Sequence, residues 1–463
     1  MVNIMRLGTI NKHPKIFVLC YPHLGTLDSW LPIVNKINSN ACRLDYILII
    51  PDTNIIKSFN VDNAIIKIAN NIFNEVLVHV DDDLWIKHPS IFKSIKWYKN
   101  NKIILRIFGV LNRSAKKYSL LFIFNWILIL LLNKIFKKEC KLKYKKLGEI
   151  ISKNDILFYD IHAEKSHMFS GHVVSDTLYL FKDNIKYSLP HAISVVYIEK
   201  NSPELFNVYN KNNIKIYAHA KFQSKYYEAT YGIDSSKIKS IGIPRHNCQW
   251  IKTIQKENSK LPNNFNDNAV IILSRHIGHI SFDEKVRTLK NIKKIFVDRL
   301  RMRVIIKLHP NEKKERMFFN KEENIYEDIF GLNNYELTWV YSDLHIFALG
   351  KGNKLAISLF TGVMLDAIAM GIPCVEYIDK INNIENGERK TEQFVKYGFV
   401  ERVSNYQELY TFVEKWISNP DQISKKSLNT YMQYFRAPSN ILDEVAIEIL
   451  NENKMRLPQN TGH

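Results

Sequence analysis

The chain has 463 residues, of which 46% are hydrophobic, and it carries a formal net charge of +19. This length allows about two or three domains of the usual size, and the apolar content excludes a disordered chain. The five cysteines form no C-x-x-C pair, which argues against a disulfide framework or a structural zinc site and fits a reducing compartment. No zinc-finger spacing, aromatic RNA-binding motif or long basic tail accompanies the charge, so we predict an anionic partner other than nucleic acid.

The first half of the chain alternates between short apolar runs and helical segments. The runs at 15–21, 45–50, 75–80 and 155–164 are typical of strands, and helical patterns separate them. Short apolar strands between helices indicate a parallel sheet that is covered on both faces. The first residues contain no apolar core of a secretory signal, so we expect a cytoplasmic protein.

A basic apolar segment interrupts this alternation. Residues 120–132 are almost wholly apolar but fewer than the ~20 that span a bilayer, and seven lysines follow between 134 and 146. Such a segment is suited to docking on an anionic membrane surface, and a buried core helix with a solvated end is the alternative. We predict a helix at about 119–146 and peripheral association with the inner membrane.

A polar stretch at 252–268 has no periodicity and is the expected linker between two domains. Beyond it the alternation restarts with a strand at 269–275 and a helix for which Ser281 is the expected N-cap. We therefore predict an α/β protein with two doubly wound, Rossmann-like domains that face a central cleft. The predicted parts are an acceptor domain at 1–251, a nucleotide-donor domain at 269–445 and a tail at 446–463.

An apolar run within "MRVIIKLHPNEKKE" (302–315) ends at Lys307, His309 and Pro310. Proline commonly marks a strand exit because it cannot donate to the ladder, so a plain strand cap is one interpretation. The other is that the carboxyl end of the strand delivers a cation and an imidazole to a ligand crevice.

A second motif is "LAISLFTGVMLDAIAMGIPCVEY" (355–377). Its strand ends at Ser358, its turn supplies Thr361 and Gly362, and Asp366 lies about one helical turn further on. Hydroxyl and backbone N–H groups at a helix N-terminus favour phosphate binding. An ordinary strand–turn–helix unit with a capping threonine is the alternative.

Together these two motifs resemble the carboxyl-terminal halves of GT-B transferases that build bacterial surface polymers. The nearest families are capsule-polysaccharide glycosyltransferases, bacterial sialyltransferases and CDP-glycerol glycerophosphotransferases. "GIPRHN" (242–247) is similar to their G-x-P-R-x-[ND] strand exit. "LPHAI" (189–193) is similar to their strand-end histidine motif, although Ala192 stands where glycine is usual. These short motifs are scattered over about 155–400.

The resemblance implies that His309 and either Ser358 or Thr361 contact the donor phosphates. Transfer from a nucleotide donor needs a base for the acceptor hydroxyl and stabilisation of the departing phosphate. We predict that side chains supply the second without a metal or another cofactor. The predicted substrate-binding residues are His309, Lys307, Ser358, Thr361, Gly362, Asp366, Arg275 and Arg245.

The catalytic base is expected from the amino-terminal half. His191 is the first candidate because of its motif, Asp160 in "YDIHAE" is a base or orients an imidazole, and His23 follows the first strand. The acidic run 81–83 matches the D-x-D of metal-dependent transferases. Because the strand–helix pattern restarts after the linker, we interpret this run as a solvated strand exit.

We predict a glycosyltransferase that uses a CMP- or CDP-linked, or alternatively UDP-linked, donor. It would extend a capsule or other surface polysaccharide on a lipid-linked or glycan acceptor at the inner membrane face. A CDP-glycerol-type glycerophosphotransferase and a nucleotide-sugar 2-epimerase of the same fold are the alternatives among enzymes. A non-catalytic membrane or nucleic-acid binder driven by charge is the alternative from another class.

Overall fold

Two largely parallel sheets, one in each half of the chain, form the framework of the molecule. The computed structural model of the chain describes residues 14–22, 24–40, 44–57, 59–81, 84–102, 144–145, 147–168, 172–191, 211–257, 261, 263–265, 269–275, 280–309, 312, 325–342, 344–350, 354–380 and 392–453.

The strands of the N-terminal sheet are β1 (Lys15–Leu19), β2 (Asp45–Ile50), β3 (Glu75–Asp81), β4 (Leu84–His88), β5 (Tyr144–Lys145), β6 (Ile156–Tyr159), β7 (Ile185–Ser188), β8 (Ile214–Ala218) and β9 (Ile238–Ser240). Their order is β5-β4-β3-β2-β1-β6-β7-β8-β9. The β3–β4 and β4–β5 pairings are antiparallel and the other described pairings are parallel. The strand order reverses between β1 and β6, which creates a crevice at their carboxyl ends.

Helices bury both faces of this sheet. Alternate residues of β1 point to opposite faces, so that Ile16 and Val18 pack in one cluster while Phe17 and Leu19 pack in another. This double burial explains why β1 is apolar throughout. The helices of this half are α1 (Leu24–Asn40), α2 (Thr53–Lys57), α3 (Ala64–Ile72), α4 (91–102), α5 (His172–Leu180), α6 (Phe222–Tyr231) and α7 (Cys248–Glu257).

Trp30 attaches α1 to the crevice side of the sheet. Its ring stacks on Phe158 with centroids 4.4 Å apart, and its Nε1–H donates to the carbonyl of Tyr159 at 2.9 Å. The contact with the last residue of β6 places α1 beside the carboxyl end of that strand.

The strands of the C-terminal sheet are β10 (Ala269–Leu273), β11 (Arg303–Lys307), β12 (Trp339–Ser342), β13 (Leu355–Ser358), β14 (Cys374–Tyr377) and β15 (Glu401–Val403). They run parallel in the order β12-β11-β10-β13-β14-β15. The order reverses between β10 and β13, so this half has a second crevice.

The C-terminal helices surround this sheet and continue beyond it. They are α8 (Phe282–Ile292), α9 (Ile325–Phe330), α10 (Ile346–Leu349), α11 (Met364–Ala369), α12 (392–396), α13 (Tyr406–Ser418), α14 (Pro420–Phe435) and α15 (Ile441–Glu452). Ser281 is the N-cap of α8, and its hydroxyl and the Glu284 carboxylate form a reciprocal capping box. Two doubly wound α/β halves were predicted, and the prediction is confirmed.

The boundaries between the halves differ from the prediction. The expected linker begins inside α7, because Trp250 and Ile254 give an otherwise polar segment one buried face. The expected tail begins inside α15, which packs on the N-terminal half: Tyr187 donates from its hydroxyl to Glu452 at 2.6 Å. The last helix therefore belongs structurally with the first half of the chain.

The predicted helix at 119–146 falls almost entirely outside the described residues. Its two described members, Tyr144–Lys145, form strand β5 and pair with β4, so the segment is not helical at its carboxyl end. Within the described ranges, no helix is long and apolar enough to cross a membrane.

Candidate active site

Asp160 holds two histidines at the carboxyl end of β6. Its side chain is fully buried, and its Oδ1 accepts the backbone N–H of His162 at 2.9 Å and lies 2.7 Å from the ring Nδ1. Its Oδ2 accepts the backbone N–H of His191 at 2.9 Å and contacts that ring through Nδ1. With Nδ1–H directed at the carboxylate, the basic nitrogen of each neutral ring is Nε2.

The ionisation of Asp160 follows from these contacts. Burial alone would raise its pKa, but the electrostatic interaction with His162 and His191 and the hydrogen bonds to them outweigh burial and hold the pKa well below the ordinary value. The carboxylate is therefore ionised at neutral pH and poorly basic. This arrangement suits Asp160 to orienting imidazoles, and it leaves His191, with 18% of its side chain exposed, better suited to accept a proton.

His219 is a third strand-end imidazole, and it was not among the residues predicted from the sequence. It follows β8, is 1% exposed, and neither ring nitrogen has a hydrogen-bond partner among the described residues. Burial, with the nearby positive Arg245, lowers its pKa to about 3, so the ring is neutral. The sequence signal was the repetition of an apolar strand followed by a polar ionisable side chain, as at Asp160 and His191.

Arg245 and Asp366, both predicted to bind substrate, pair with each other across the two halves. Arg245 Nε lies 2.9 Å from Asp366 Oδ1, and Nη2 lies 3.3 Å from Oδ2. His246 Nε2 contacts the same Oδ1 at 2.6 Å. Burial alone would raise the pKa of Asp366, but the Arg245 charge and the His246 hydrogen bond lower it strongly overall. Their contacts make these two residues a bridge between the halves.

A second contact extends this bridge to α1. Asp28 Oδ2 lies 3.5 Å from Arg245 Nη1 and 3.4 Å from Nε2 of His345, the N-cap residue of α10. At the other end, the Tyr431 hydroxyl lies 2.7 Å from Nδ1 of His246. Each half thus contributes both acidic and basic side chains to one buried network.

In the C-terminal half, Arg275 and His309 meet at the carboxyl ends of the neighbouring strands β10 and β11. Arg275 Nη1 lies 3.5 Å from His309 Nε2. Among the residues that the structure describes, the buried Arg275 Nε has no hydrogen-bond partner, and the charge of the Glu312 carboxylate acts on the guanidinium without a direct ion pair. A partly buried guanidinium beside an imidazole, without a paired carboxylate, is a favourable place for a ligand anion.

Lys307 takes a different direction from this pair. Its Nζ donates to the carbonyl of Leu344 at 2.7 Å, which ties the end of β11 to the segment after β12. The predicted contact between Lys307 and a phosphate therefore competes with this backbone hydrogen bond.

The turn after β13 is closed by its own hydroxyl group. Ser358 is fully buried, accepts the N–H of Thr361 at 3.1 Å and donates to its carbonyl at 3.3 Å, so its hydroxyl is used within the turn. Thr361 is also buried, and its Oγ1 lies 3.5 Å from the backbone N of Val363. Gly362 differs from both, because a Cβ atom there would meet no atom of the described residues within 4 Å. Of these predicted residues, Gly362 borders open space.

Two interpretations fall on residues that the structure does not describe. His23, a predicted base, lies outside the described ranges, as do the last two residues of the acidic run 81–83. In the part of the chain that is described, no group of three or more histidine, cysteine, aspartate or glutamate side chains is arranged to hold a metal ion.

Comparison with known proteins identifies the fold. No family model and no curated protein matches the chain. A proposed UDP-N-acetylglucosamine 2-epimerase from Listeria monocytogenes superposes with a TM-score of 0.54 at 9% identity, covering 96% of this chain and 98% of that one. The S. aureus MnaA–UDP structure gives a TM-score of 0.51 at 11% identity, covering 97% and 100%. The chain has the GT-B fold, as predicted from the sequence.

Proposed function

We propose that the protein is a glycosyltransferase that takes a sugar from a nucleotide-activated donor without a metal ion. The observation that carries this proposal is the Arg275–His309 pair, whose guanidinium Nη1 and imidazole Nε2 lie 3.5 Å apart at the carboxyl ends of two neighbouring strands. A donor phosphate bound between them would receive charge-assisted hydrogen bonds from both. As the sugar departs, the same groups would stabilise the charge that develops on the leaving phosphate. Gly362, which borders open space at the adjacent strand end, leaves room for the ligand.

His191 is the proposed general base. Its Nε2 would accept the proton of the acceptor hydroxyl while Nδ1–H remains directed at Asp160. The ionised carboxylate would stabilise the imidazolium that forms. The base and the phosphate site then lie on strand ends of opposite halves, as transfer across a cleft requires.

A ligand panel tests the donor site. We expect one of CMP, CDP, UDP or GDP to raise the melting temperature of the full chain by mass action. CMP and CDP are favoured by the sequence resemblance, and UDP by the likeness to MnaA bound to UDP. The same nucleotide should not raise the melting temperature of the Arg275→Gln variant. Arg299→Gln is the matched control, because Arg299 precedes β11 and therefore lies near the amino end of that strand, whereas Arg275 follows the carboxyl end of β10. A wild-type chain that no nucleotide stabilises would contradict the proposal.

A nucleotide-sugar 2-epimerase is the second candidate, and the likeness to the Listeria protein favours it. Incubation with UDP-N-acetylglucosamine and no acceptor separates the two activities, since only an epimerase converts the sugar under those conditions. A CDP-glycerol-type transferase would use the same phosphate site, and release of CMP from CDP-glycerol in the presence of acceptor would identify it.

We further propose that the acceptor is a lipid-linked or other growing surface glycan, such as a capsule, at the inner membrane face. The lysines at 134–143 beside the apolar run support docking on anionic lipid. Replacing these five lysines with glutamine should abolish sedimentation with phosphatidylglycerol vesicles and leave nucleotide binding intact. If the variant sediments with the vesicles as wild type does, the proposed docking on anionic lipid through these lysines is wrong.

A further inference from the structure

A buried ion pair lies behind Arg275 and His309. Nζ of Lys285, on α8, is 2.5 Å from Oε1 of Glu312, and the two residues are 1% and 4% exposed. The hydroxyls of Tyr326 and Ser274 donate to the same Oε1 at 2.7 and 2.9 Å. A buried ion pair is costly to desolvate, and its hydrogen bonds must be well satisfied to offset that cost.

Each member of the pair also holds one strand end. Glu312 Oε2 accepts the backbone N–H of His309 at 2.8 Å, just beyond β11. Lys285 Nζ donates to the backbone carbonyl of Arg275 at 3.0 Å, just beyond β10. The two side chains therefore connect the backbones of the two residues whose side chains meet at 3.5 Å. The strand ladder itself reaches only as far as the bond from Ser274 N–H to the carbonyl at the end of β11.

We propose that Lys285 and Glu312 are positioning residues for the donor phosphate site, which they serve by setting the spacing between the Arg275 guanidinium and the His309 imidazole. This inference rests on the proposed function, because it gives the ion pair a purpose in phosphate binding. Neither residue contacts the ligand directly, since both side chains are buried among protein groups.

A purely stabilising role leads to a different expectation, and a double variant separates the two. Replacing a buried ion pair with apolar side chains of similar volume often leaves stability unchanged or improved. Removing only one partner leaves the other charge buried and unpaired, which is destabilising. The double variant Lys285→Met/Glu312→Leu leaves no buried charge unpaired, but it removes the hydrogen bonds to the Arg275 carbonyl and the His309 N–H. A positioning role predicts that this variant recovers stability without recovering phosphate affinity. A purely stabilising role predicts that both recover together.

The experiment uses the full chain with UDP and CMP as probes. Dissociation constants are measured by calorimetry and stability by urea unfolding for wild type, Glu312→Leu, the double variant and Arg275→Gln. We expect the double variant to unfold close to wild type and to bind the recognised nucleotide about tenfold more weakly or worse, a loss on the scale of one charge-assisted hydrogen bond. Ser281→Ala removes the N-cap of the helix that carries Lys285, and it should lower stability without changing affinity.

The outcomes distinguish the two proposals. A double variant that binds as tightly as wild type, while Arg275→Gln has lost binding, overturns the positioning role and leaves the proposed function standing. If neither nucleotide binds wild type, or if Arg275→Gln binds as wild type does, the phosphate site fails and the positioning role fails with it. Should the double variant not fold, Lys285→Met/Glu312→Gln replaces it. This variant keeps an acceptor for the His309 N–H and cuts the tie to Arg275, so wild-type affinity would again overturn the inference.

Discussion

The carboxylate of Asp160 holds His191 at two points, the backbone N–H at 2.9 Å and the ring Nδ1. The backbone contact fixes where the residue lies, and the ring contact fixes how the imidazole is turned. The Nε2 atom is consequently oriented before any substrate binds, which would lower the entropic cost of the proposed proton transfer. Because the same carboxylate holds His162, one aspartate controls two imidazoles.

Asp160→Asn should reduce the transfer rate about 10²–10⁴-fold with little effect on nucleotide affinity. The rings of His162 and His191 contact opposite oxygens of Asp160, and an amide has an oxygen on one side only, so one of the two rings loses the acceptor for its Nδ1–H. Initial rates of nucleotide release with saturating donor and acceptor measure the effect. His191→Ala should have a loss of similar size, and His79→Ala, in strand β3, is the control. An Asp160→Asn/His191→Ala variant much slower than either single variant would contradict action as one unit.

Acid should lower the free energy of unfolding through protonation of Asp366. Its pKa is depressed in the folded chain, so the unfolded chain binds more protons as the pH falls below the ordinary value near 3.8. The contribution of Asp366 is therefore fully present above that value and is lost progressively below it. Urea unfolding between pH 3 and 7 should show this loss. Asp366→Asn should flatten the acid limb and cost about 3–5 kcal/mol at neutral pH, because Arg245 loses a buried partner. If the stability of Asp366→Asn falls with decreasing pH as steeply as that of wild type, other carboxylates cause the acid sensitivity.

Gly362→Ala should separate binding from stability. A methyl group at this position meets no atom of the described part of the chain within 4 Å, so the free energy of unfolding should change by less than about 0.5 kcal/mol. The same methyl group would project into the space where the donor phosphate is proposed to lie, and nucleotide affinity should fall. Calorimetry with the recognised nucleotide checks this expectation. Wild-type affinity in Gly362→Ala would move the ligand away from the β13 turn.

Gly242→Ala should destabilise the fold by about 1–3 kcal/mol, because its φ of 72° lies in the left-handed region. An added Cβ would also lie 2.4 Å from the Cβ of Ala437, where the chain passes from α14 to α15. Urea unfolding measures the loss, and Gly398→Ala, whose φ is 75° but whose Cβ would have its nearest contact at 3.9 Å, is the matched control. Equal losses in both variants would show that backbone strain alone, and not the close approach, requires glycine at 242.

The sequence was most informative where both faces of an element are buried. The strand predicted at 45–50 has the observed bounds, because an unbroken apolar run has few alternatives in a covered parallel sheet. The meeting of Arg275 and His309 was also predictable, since the carboxyl ends of parallel neighbours lie at one edge of the sheet. Such local rules depend only on strand order and direction.

Long-range partnerships were beyond those rules. Arg245 and Asp366 are 121 residues apart, and their pairing depends on how the two halves dock, which no local pattern encodes. His219 was missed because a single histidine after a strand carries little information by itself. The second half of helix α7, residues 252–257, was mistaken for linker because Ile254 is the one apolar residue among its polar neighbours.

Because α15 packs on the first half, the two halves cannot be separated by a single cut in the chain. A fragment ending at residue 251 would lack the helix whose Glu448 and Glu452 pair with Lys239 and Lys215. It would also leave the Tyr217 hydroxyl without its Glu448 partner. Cutting the gene at the linker therefore yields two incomplete pieces. A circular permutant that joins the last helix to the front of the chain is the better route to an autonomous amino-terminal domain.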